Sequence, residues 1–173
     1  VQTCALPISG EQKPAVAPSK PNPSKEKLIQ DTKNQFFQNG DPDLEETSIF
    51  TDFIALFHFV DKAYEKVGDT GHGILRILKN ETNGRYRLLM RNRTNFDEVL
   101  LHYYILPGNE IREKSLNEKG NVVIKANNYA DPENPKTEFY WLRFASPESK
   151  TLFIEKYNDA LNANKAILTA LEN

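Results

Sequence analysis

The sequence is poor in residues that cross-link a protein or bind metals: one of its 173 residues is cysteine and three are histidine. A single cysteine, Cys4, excludes a disulfide framework and a thiolate metal cluster. Uninterrupted apolar runs are far shorter than the ~20 residues that a membrane-spanning helix requires. Apolar residues nevertheless make up 39% of the chain, including ten Phe and seven Tyr. This composition excludes wholesale disorder and indicates one soluble, intracellular domain with a tail.

The N-terminal quarter of the chain has two parts that are not typical of a folded domain. Residues 1–9 begin VQTCALPI, which is the translation of a common sequencing-library adapter, so we interpret them as an artefact and exclude them from the fold. We expect the natural N-terminus to lie upstream. Residues 10–40 are rich in Pro and Lys and cannot bury enough apolar surface to offset chain entropy, which predicts a flexible linker. The folded domain is predicted over residues 41–170.

Alternating apolar residues predict a series of strands after this linker. Ile49–Val60 is long enough for one bent strand. The pair Asn83 and Gly84 predicts a hairpin with a type I′ turn, since both central residues of that turn need a positive φ. The remaining predicted strands are Gly73–Leu78, Tyr86–Arg91, Val99–Leu106, Val122–Ala126 and Phe139–Phe144.

The chain then changes to a helical period. Ser146 followed by Pro147 is typical of an N-cap with proline at the first helical position. Residues suited to a buried helix face recur after it at Phe153, Tyr157, Ala160, Leu161, Asn164 and Leu168. A mainly β antiparallel sandwich or barrel of about seven strands, capped by one C-terminal α-helix, is the architecture of the PH-like superfold, and this is the predicted fold.

The sequence offers little for catalysis. His58, His72 and His102 lie outside any metal-ligand motif, and no nucleophile elbow is present. The glycine-rich residues 68–73 lack the Lys-Ser/Thr pair of a P-loop, and a predicted strand rather than a helix follows them. We therefore expect no enzyme activity, no metal site and no cofactor.

Charge is the remaining candidate for function. Four arginines fall within nine residues that contain no acid, and their odd spacing places them on one face of a strand. They are Arg85, Arg87, Arg91 and Arg93. A solvated outer face would account for such a pattern, but four arginines are denser than solubility requires. An acidic arm precedes the first strand and includes Asp43, Glu45 and Glu46. We expect two opposite patches that bind one dipolar partner.

Several strings, in order, resemble the Ran-binding domain family. Residues 87–91 read RLLMR, the family's most recognisable string, and residues 126–133 read ANNYADPE, close to its ANDFADGE pattern. Residues 49–59 resemble the family's opening LF…LFRF, and residues 142–144 with the helix after them resemble its IRF-plus-helix ending. The resemblance covers roughly residues 43–163.

This resemblance implies a PH-like module that binds the GTP-bound form of the small GTPase Ran in nucleocytoplasmic transport. Family members assist a separate GTPase-activating protein and help dismantle export complexes, so that protein and transport receptors are further expected partners. It implies a monomer without nucleic-acid or membrane partners, located in the cytoplasm, the nucleus or the nuclear pore complex. The acidic tail of Ran would bind the four arginines, and the arm Asp43, Glu45 and Glu46 would contact basic surface on Ran. Asn127 and Asp131 belong to a motif loop at the same interface.

The chain departs from the family pattern at positions that bear on affinity. Val122 and Ile124 lie in the strand where the family usually has Trp. Tyr64 replaces the Trp of the family's WKERG turn, which here covers residues 64–68, and Asn128 replaces an Asp. Fewer interface tryptophans would weaken binding. The alternative function is a PH-like module for anionic lipid headgroups or proline-rich peptides. A lipid site would need converging lysines, and a peptide site an exposed Trp–Tyr groove, whereas Trp141 is expected in the core.

Overall fold

The computed structural model describes residues 45–112 and 121–172. The predicted adapter segment, the predicted linker and Asp43 lie outside the described residues. Within these ranges the chain forms seven strands and one helix, which confirms the predicted mainly β class with a C-terminal helix. The elements are β1 (Glu46–Val60), β2 (Ala63–Lys66), β3 (His72–Asn80), β4 (Tyr86–Asn92), β5 (Val99–Tyr104), β6 (Asn121–Asn128), β7 (Lys136–Arg143) and α1 (Pro147–Glu172).

The strands form one antiparallel sheet in the order β5-β4-β3-β1-β7-β6, and β2 pairs with β1 as well. The long strand β1 is shared between two parts of this sheet. Its residues up to Ala55 pair with β3, and its residues from Ala55 to His58 pair with β7. A register shift between Ser48 and Phe50 introduces a local bend, since a bulge increases strand twist. The long bent strand predicted from the sequence is therefore present.

Side-chain hydrogen bonds bring the two ends of the sheet together. Asn128, at the end of β6, accepts a bond from the His102 N–H at 2.9 Å and donates one to the Leu100 carbonyl at 3.0 Å, both on β5. The backbone of Tyr129 adds a bond to the His102 carbonyl at 2.8 Å. One amide side chain thus satisfies backbone groups of β5 that an open sheet would leave unpaired.

The predicted type I′ turn at Asn83 and Gly84 is wrong, although the hairpin that it joins is present. Gly84 has a φ of 74°, but Asn83 is not in the positive-φ region. Residues 81–85 connect the two strands, and the Asn80 N–H donates to the Arg85 carbonyl, so that this hydrogen bond closes a loop of four residues, 81–84. The Asn80 side chain accepts from the backbone N–H groups of the second and third loop residues, at 2.8 and 3.0 Å. This side-chain cap favours the longer loop.

A turn with two positive φ values occurs instead between β1 and β2, at Asp61 (49°) and Lys62 (69°). Val60 and Ala63 face each other across it, as in a two-residue hairpin. Neither turn residue is glycine, so the usual Asn-Gly signal could not identify it. Strand β2 was accordingly absent from the strands predicted from the sequence.

Helix α1 begins as predicted and packs against strands β1, β3 and β4. The Ser146 hydroxyl accepts a bond from the Ser149 N–H at 3.1 Å, which confirms the N-cap. Asn164 accepts from the Tyr86 N–H at 2.9 Å and donates to the carbonyls of Tyr86 and Ile105 at 2.8 and 2.6 Å. The helix residues buried against the sheet are Phe153, Tyr157, Ala160, Leu161, Asn164 and Leu168. In the described part of the chain no helix combines the length and apolar character needed to cross a membrane.

Candidate partner-binding site

The four predicted arginines lie on and beside β4. Arg87 and Arg91 lie within the strand on one face, while Arg85 precedes it and Arg93 follows it. Arg93 is exposed and Arg85 and Arg91 are half-buried, but the Arg87 side chain is only 6% exposed. The expected stripe is therefore interrupted at Arg87.

Arg87 is buried because it pairs with Glu46, a residue of the predicted acidic arm. Its Nε donates to Glu46 Oε2 at 2.8 Å and its Nη2 donates to Glu46 Oε1 at 2.7 Å. The Glu46 side chain is only 5% exposed. Two parallel bonds of this kind are the strong, bidentate form of an arginine–carboxylate pair. The two patches expected to be separate are thus joined at this point, since sheet pairing places the start of β1 next to the β3–β4 hairpin.

His102 on β5 completes this buried group. Arg87 Nη1 lies 2.9 Å from His102 Nε2. Because a guanidinium has no acceptor, the imidazole Nε2 must be the unprotonated nitrogen. Burial, followed by the charges of Arg87 and Arg91, lowers the pKa of His102 well below its ordinary value. Burial also raises the pKa of the neighbouring Tyr104 to about 12. The buried group therefore consists of the Arg87–Glu46 ion pair and two neutral side chains, His102 and Tyr104.

Beside this group, the same face of the sheet carries a hollow with charged and apolar walls. Arg76 on β3 and Arg91 on β4 flank it, and its apolar walls come from Ile74, Leu89 and Phe96. Arg91 is held in place because its Nη1 donates to the Phe96 carbonyl at 2.9 Å. Phe96 itself is 58% exposed. The hollow can therefore accept an apolar side chain while two guanidinium groups bind carboxylates next to it.

Arg93 lies further along the same face. Its guanidinium lies over the ring of Phe53, 5.9 Å from the centroid, and Phe53 is 59% exposed. Such a cation–π contact orients the side chain without neutralising its charge. Arg93 is therefore placed to extend the cationic surface from β4 toward β1.

Of the acidic arm, Glu45 and Glu46 are described. Glu45 is exposed, and its Oε1 accepts a bond from the Thr82 hydroxyl at 2.6 Å. The backbone of Glu81 donates to the Glu45 carbonyl at 2.8 Å. These contacts anchor the described part of the arm at the β3–β4 hairpin.

The two residues predicted to lie in the motif loop are held by local bonds, but only Asp131 is in a loop, because Asn127 lies near the end of strand β6. Asn127 donates to the Tyr129 hydroxyl at 3.0 Å and accepts from the Thr137 hydroxyl at 3.1 Å. Asp131 is exposed and caps the following turn by accepting from the Glu133 N–H at 3.2 Å. Because this loop is bonded to β5 at His102, it lies on the same side of the domain as the buried ion pair.

Sequence reasoning missed three residues that shape this site. Arg76 could have been found, since the alternation within residues 72–80 places it outward on β3. The contributions of His102 and Phe96 had no such signal, because they depend on the register of β5 and on the loop before it. Only the pairing of distant strands brings them next to Arg87 and Arg91.

Catalytic chemistry finds no support among the described residues. No group of three His, Cys, Asp or Glu side chains is placed to hold a metal ion there. His58 Nδ1 lies 2.9 Å from Glu138 Oε1, and His72 Nδ1 lies 2.9 Å from the Thr70 carbonyl. These contacts are structural ones within strands and turns.

Relatives of known sequence share this domain. The chain is 33% identical over 129 residues to the human E3 SUMO-protein ligase RanBP2, covering 75% of this chain and 4% of that protein. It is 29% identical over 110 residues to Ran-binding protein 1 homolog a of Arabidopsis thaliana, covering 64% of this chain and 46% of that one. The chain thus spans less than half the length of either relative.

Solved structures share the fold. The Ran binding domain of Nup2 from Ashbya gossypii has a TM-score of 0.54 at 21% identity, over 69% of this chain and 97% of that one. The Dm DCP1 EVH1 domain, solved in complex with the XRN1 DBM peptide, has a TM-score of 0.51 at 14% identity, over 89% and 99%. These likenesses confirm the predicted PH-like architecture. Residues 38–163 match the model of the RanBP1 domain, and the chain belongs to that family.

Proposed function

We propose that this domain binds the GTP-bound form of Ran and acts as a non-catalytic module in nucleocytoplasmic transport. Membership of the RanBP1 domain family supports this proposal, as do the names of its relatives, several of which are Ran-binding proteins. The site supports it independently, because a cationic face with an apolar hollow suits an acidic protein segment.

The hollow between Arg76 and Arg91 is the observation that carries the proposal. The acidic tail of Ran would lie across it, with carboxylates on the two guanidinium groups and an apolar side chain against Ile74 and Leu89. Arg85 and Arg93 lie at the two ends of β4 and would extend the contact. Such charge pairs act mainly on the association rate and on discrimination between partners.

Arg87 has a different role in this scheme from that of a direct ligand. Its guanidinium is already bonded to Glu46 and His102, so it would hold the start of β1 and strands β4 and β5 in fixed positions beneath the tail. Of the arm, exposed Glu45 and, before it, Asp43 would contact basic surface on Ran. Asn127, near the end of β6, and Asp131, in the loop after it, would contribute at the edge of the same interface.

Downstream roles follow from the family resemblance. Binding would assist hydrolysis stimulated by the separate GTPase-activating protein and promote disassembly of export complexes that contain transport receptors. The domain would then work in the cytoplasm, the nucleus or the nuclear pore complex. Each of these steps requires the domain to distinguish the two nucleotide states of Ran.

The test is titration of the full chain with Ran loaded with a GTP analogue and, in parallel, with GDP. We expect at least tenfold tighter binding to the GTP form, a difference of about 1.4 kcal/mol. Ran lacking its acidic tail is the control, and it should bind more weakly and with less salt dependence. Equal affinity for both nucleotide states would contradict the proposal.

A further inference from the structure

The loop that joins β4 to β5 carries a hydroxyl side chain to which the proposed Ran site assigns no role. This loop spans residues 93–98, and its second residue, Thr94, is exposed. Two other residues of the loop belong to the candidate site. Arg93 extends the cationic surface, and Phe96 forms one wall of the hollow. We call residues 93–98 the Thr94 loop.

An acidic residue follows Thr94 at the spacing that acidophilic protein kinases recognise, in which a carboxylate comes three positions after the hydroxyl. Here the carboxylate is that of Asp97. In the whole sequence the same spacing occurs at two other hydroxyl residues, Ser115 and Thr169. Ser115 lies outside the described residues. Thr169 lies within α1, and its hydroxyl donates to a carbonyl one turn earlier, so the helix would have to unwind before a kinase could bind it in extended form.

The position of Thr94 favours recognition from its C-terminal side. Arg91 precedes it by three positions, a spacing that arginine-directed kinases recognise, but Arg91 belongs to β4, which is paired with β3 and β5. That side could enter a kinase cleft only if the sheet were broken. Asp97 is exposed and lies in the Thr94 loop itself. An acidophilic kinase is therefore the class that suits this site.

The surroundings of the Thr94 hydroxyl determine which way a phosphate on it would face. The hydroxyl donates to Asn92 Oδ1 at 3.1 Å. On the other side of the same amide, Asn92 Nδ2 donates to the carboxylates of Asp69 and Glu98, at 3.0 and 2.7 Å. A phosphate dianion has no proton to donate to Asn92, and these two carboxylates would repel it. It would therefore turn away from them, toward the guanidinium of Arg93 next to it in the chain.

We propose that Thr94 is a phosphorylation site at which an acidophilic protein kinase weakens the binding of an acidic partner segment to the cationic face. In the reaction Thr94 Oγ1 bonds to the γ-phosphorus of ATP, the bond from that phosphorus to the bridging oxygen breaks, and ADP leaves. The hydroxyl proton passes to a base of the kinase. The identity of the partner rests on the proposed function, whereas the modification itself does not.

The added charge acts on two arginines of the candidate site. A phosphate carries about −1.5 to −2 charges at pH 7 and three strong acceptor oxygens. Arg93 precedes Thr94 directly, and Arg91 is held under the Thr94 loop because its Nη1 donates to the Phe96 carbonyl at 2.9 Å. Bonds from these guanidinium groups to the phosphate would occupy donors that a partner's carboxylates otherwise use.

The first test is chemical and does not involve Ran. The full chain is incubated with ATP and purified casein kinase 2, an acidophilic kinase, and modified residues are located by mass spectrometry of peptides. We expect phosphate at Thr94, at least about tenfold less at Thr169, and incorporation at Thr94 slowed about fivefold or more in Asp97→Asn. Asp159→Asn is the matched control, since Asp159 is exposed on α1. No phosphate at Thr94, equal phosphate at Thr169, or equal slowing in the two variants would overturn the proposal.

The second test measures the consequence for binding. The phosphorylated and unmodified chains are each titrated with Ran loaded with a GTP analogue and, separately, with a fluorescently labelled Asp-rich peptide. We expect both affinities to fall about tenfold at low salt on phosphorylation, and the two chains to converge at high salt, because exposed charges are screened. The peptide probes the cationic face without Ran. A failure of the proposed function, seen as no preference for the GTP form, is thus distinguishable from a failure of this inference.

Variants separate charge at this position from charge elsewhere. Thr94→Glu should reproduce part of the loss, since glutamate carries one negative charge and a phosphate about two. Thr94→Val removes the hydroxyl without adding charge and should bind both ligands as the parent does. Thr151→Glu is the matched control, because Thr151 is an exposed threonine on α1. Unchanged binding of the phosphorylated chain to the peptide, or an equal loss of affinity in Thr151→Glu, would overturn the proposal.

Discussion

Arg87 and Glu46 form a buried, two-bond ion pair that ties the start of β1 to β4 across the intervening strand β3. Both residues come from charge clusters that the sequence predicts to face a partner. Their mutual pairing makes them part of the framework beneath the candidate site. We therefore expect the pairing of Arg87 with Glu46 to affect the stability of the domain first.

Replacing only one member of this pair should destabilise the domain strongly, because the other member then remains as a buried, unpaired charge. Arg87→Met or Glu46→Met leaves one buried charge uncompensated, and each should lower the free energy of unfolding by about 3–5 kcal/mol. The double variant should lose much less than the sum, because no unpaired charge remains. Urea unfolding at pH 7 measures the coupling. Additive losses would show that the pair is not coupled.

The course of β1 and the start of α1 could be predicted because their signals are local. The apolar run from Ile49 to Val60 and the Ser146 cap each lie within a few residues of the element that they specify. The Asn83–Gly84 signal was also local, yet the side chain of Asn80 offered the loop another set of bonds. A competing cap of this kind changes the turn without changing the hairpin.

The candidate site could be predicted only in part, because it depends on register. The spacing of Arg87 and Arg91 places them on one face, but burial depends on which residues lie across the sheet. Glu46 is 41 residues from Arg87 along the chain. No sequence pattern indicates that contact, because it depends on how distant strands pair. For the same reason the sequence could not place Phe96 beside Arg91.

His102 should give the domain a pH dependence on the acid side of neutrality. Its pKa is lowered in the folded domain by burial and by Arg87 and Arg91, whereas the unfolded chain binds a proton near pH 6.5. Between these two pKa values unfolding takes up a proton, so stability is complete above about pH 6.5 and falls as the pH decreases below it. The slope for one such group is at most about 1.4 kcal/mol per pH unit.

Urea unfolding from pH 7.5 to 5 would measure this slope in the parent, in His102→Gln and in His72→Gln. Glutamine retains an acceptor for Arg87 but cannot titrate, so His102→Gln should show a shallower slope. His72 is exposed, and its replacement should leave the slope as it is in the parent. A slope unchanged by His102→Gln would assign the pH dependence to other groups.

Asn128 should not tolerate the aspartate that the family pattern has at this position. Its Nδ2 donates to the Leu100 carbonyl, and Asn128→Asp would place a carboxylate oxygen against that carbonyl. The loss of this bond and the repulsion should cost about 1–3 kcal/mol of unfolding free energy. Asn127→Asp is the control, because the Tyr129 hydroxyl can reverse its role and donate to a carboxylate. Equal stability of the two variants would refute the role assigned to Asn128.

The hollow on the β3–β4 face should be the main electrostatic determinant of Ran binding. Arg76→Glu combined with Arg91→Glu replaces two cations beside Ile74 and Leu89 with anions. We expect affinity for the GTP-bound form to fall about tenfold to hundredfold at low salt, since each charge contact contributes roughly 0.2–1 kcal/mol and its reversal adds repulsion. The fall should appear mainly in the association rate.

Position and net charge must be separated in this experiment. Lys62→Glu combined with Lys165→Glu changes the net charge by the same amount at two exposed lysines outside the hollow. The affinity is then measured over a series of salt concentrations. The lysine control should show the same salt dependence as the parent, whereas the Arg76 and Arg91 variant should show a weak one. Ran without its acidic tail should bind the parent and the arginine variant alike. If the two double variants lost affinity equally, the overall charge of the domain, and not the hollow, would control binding.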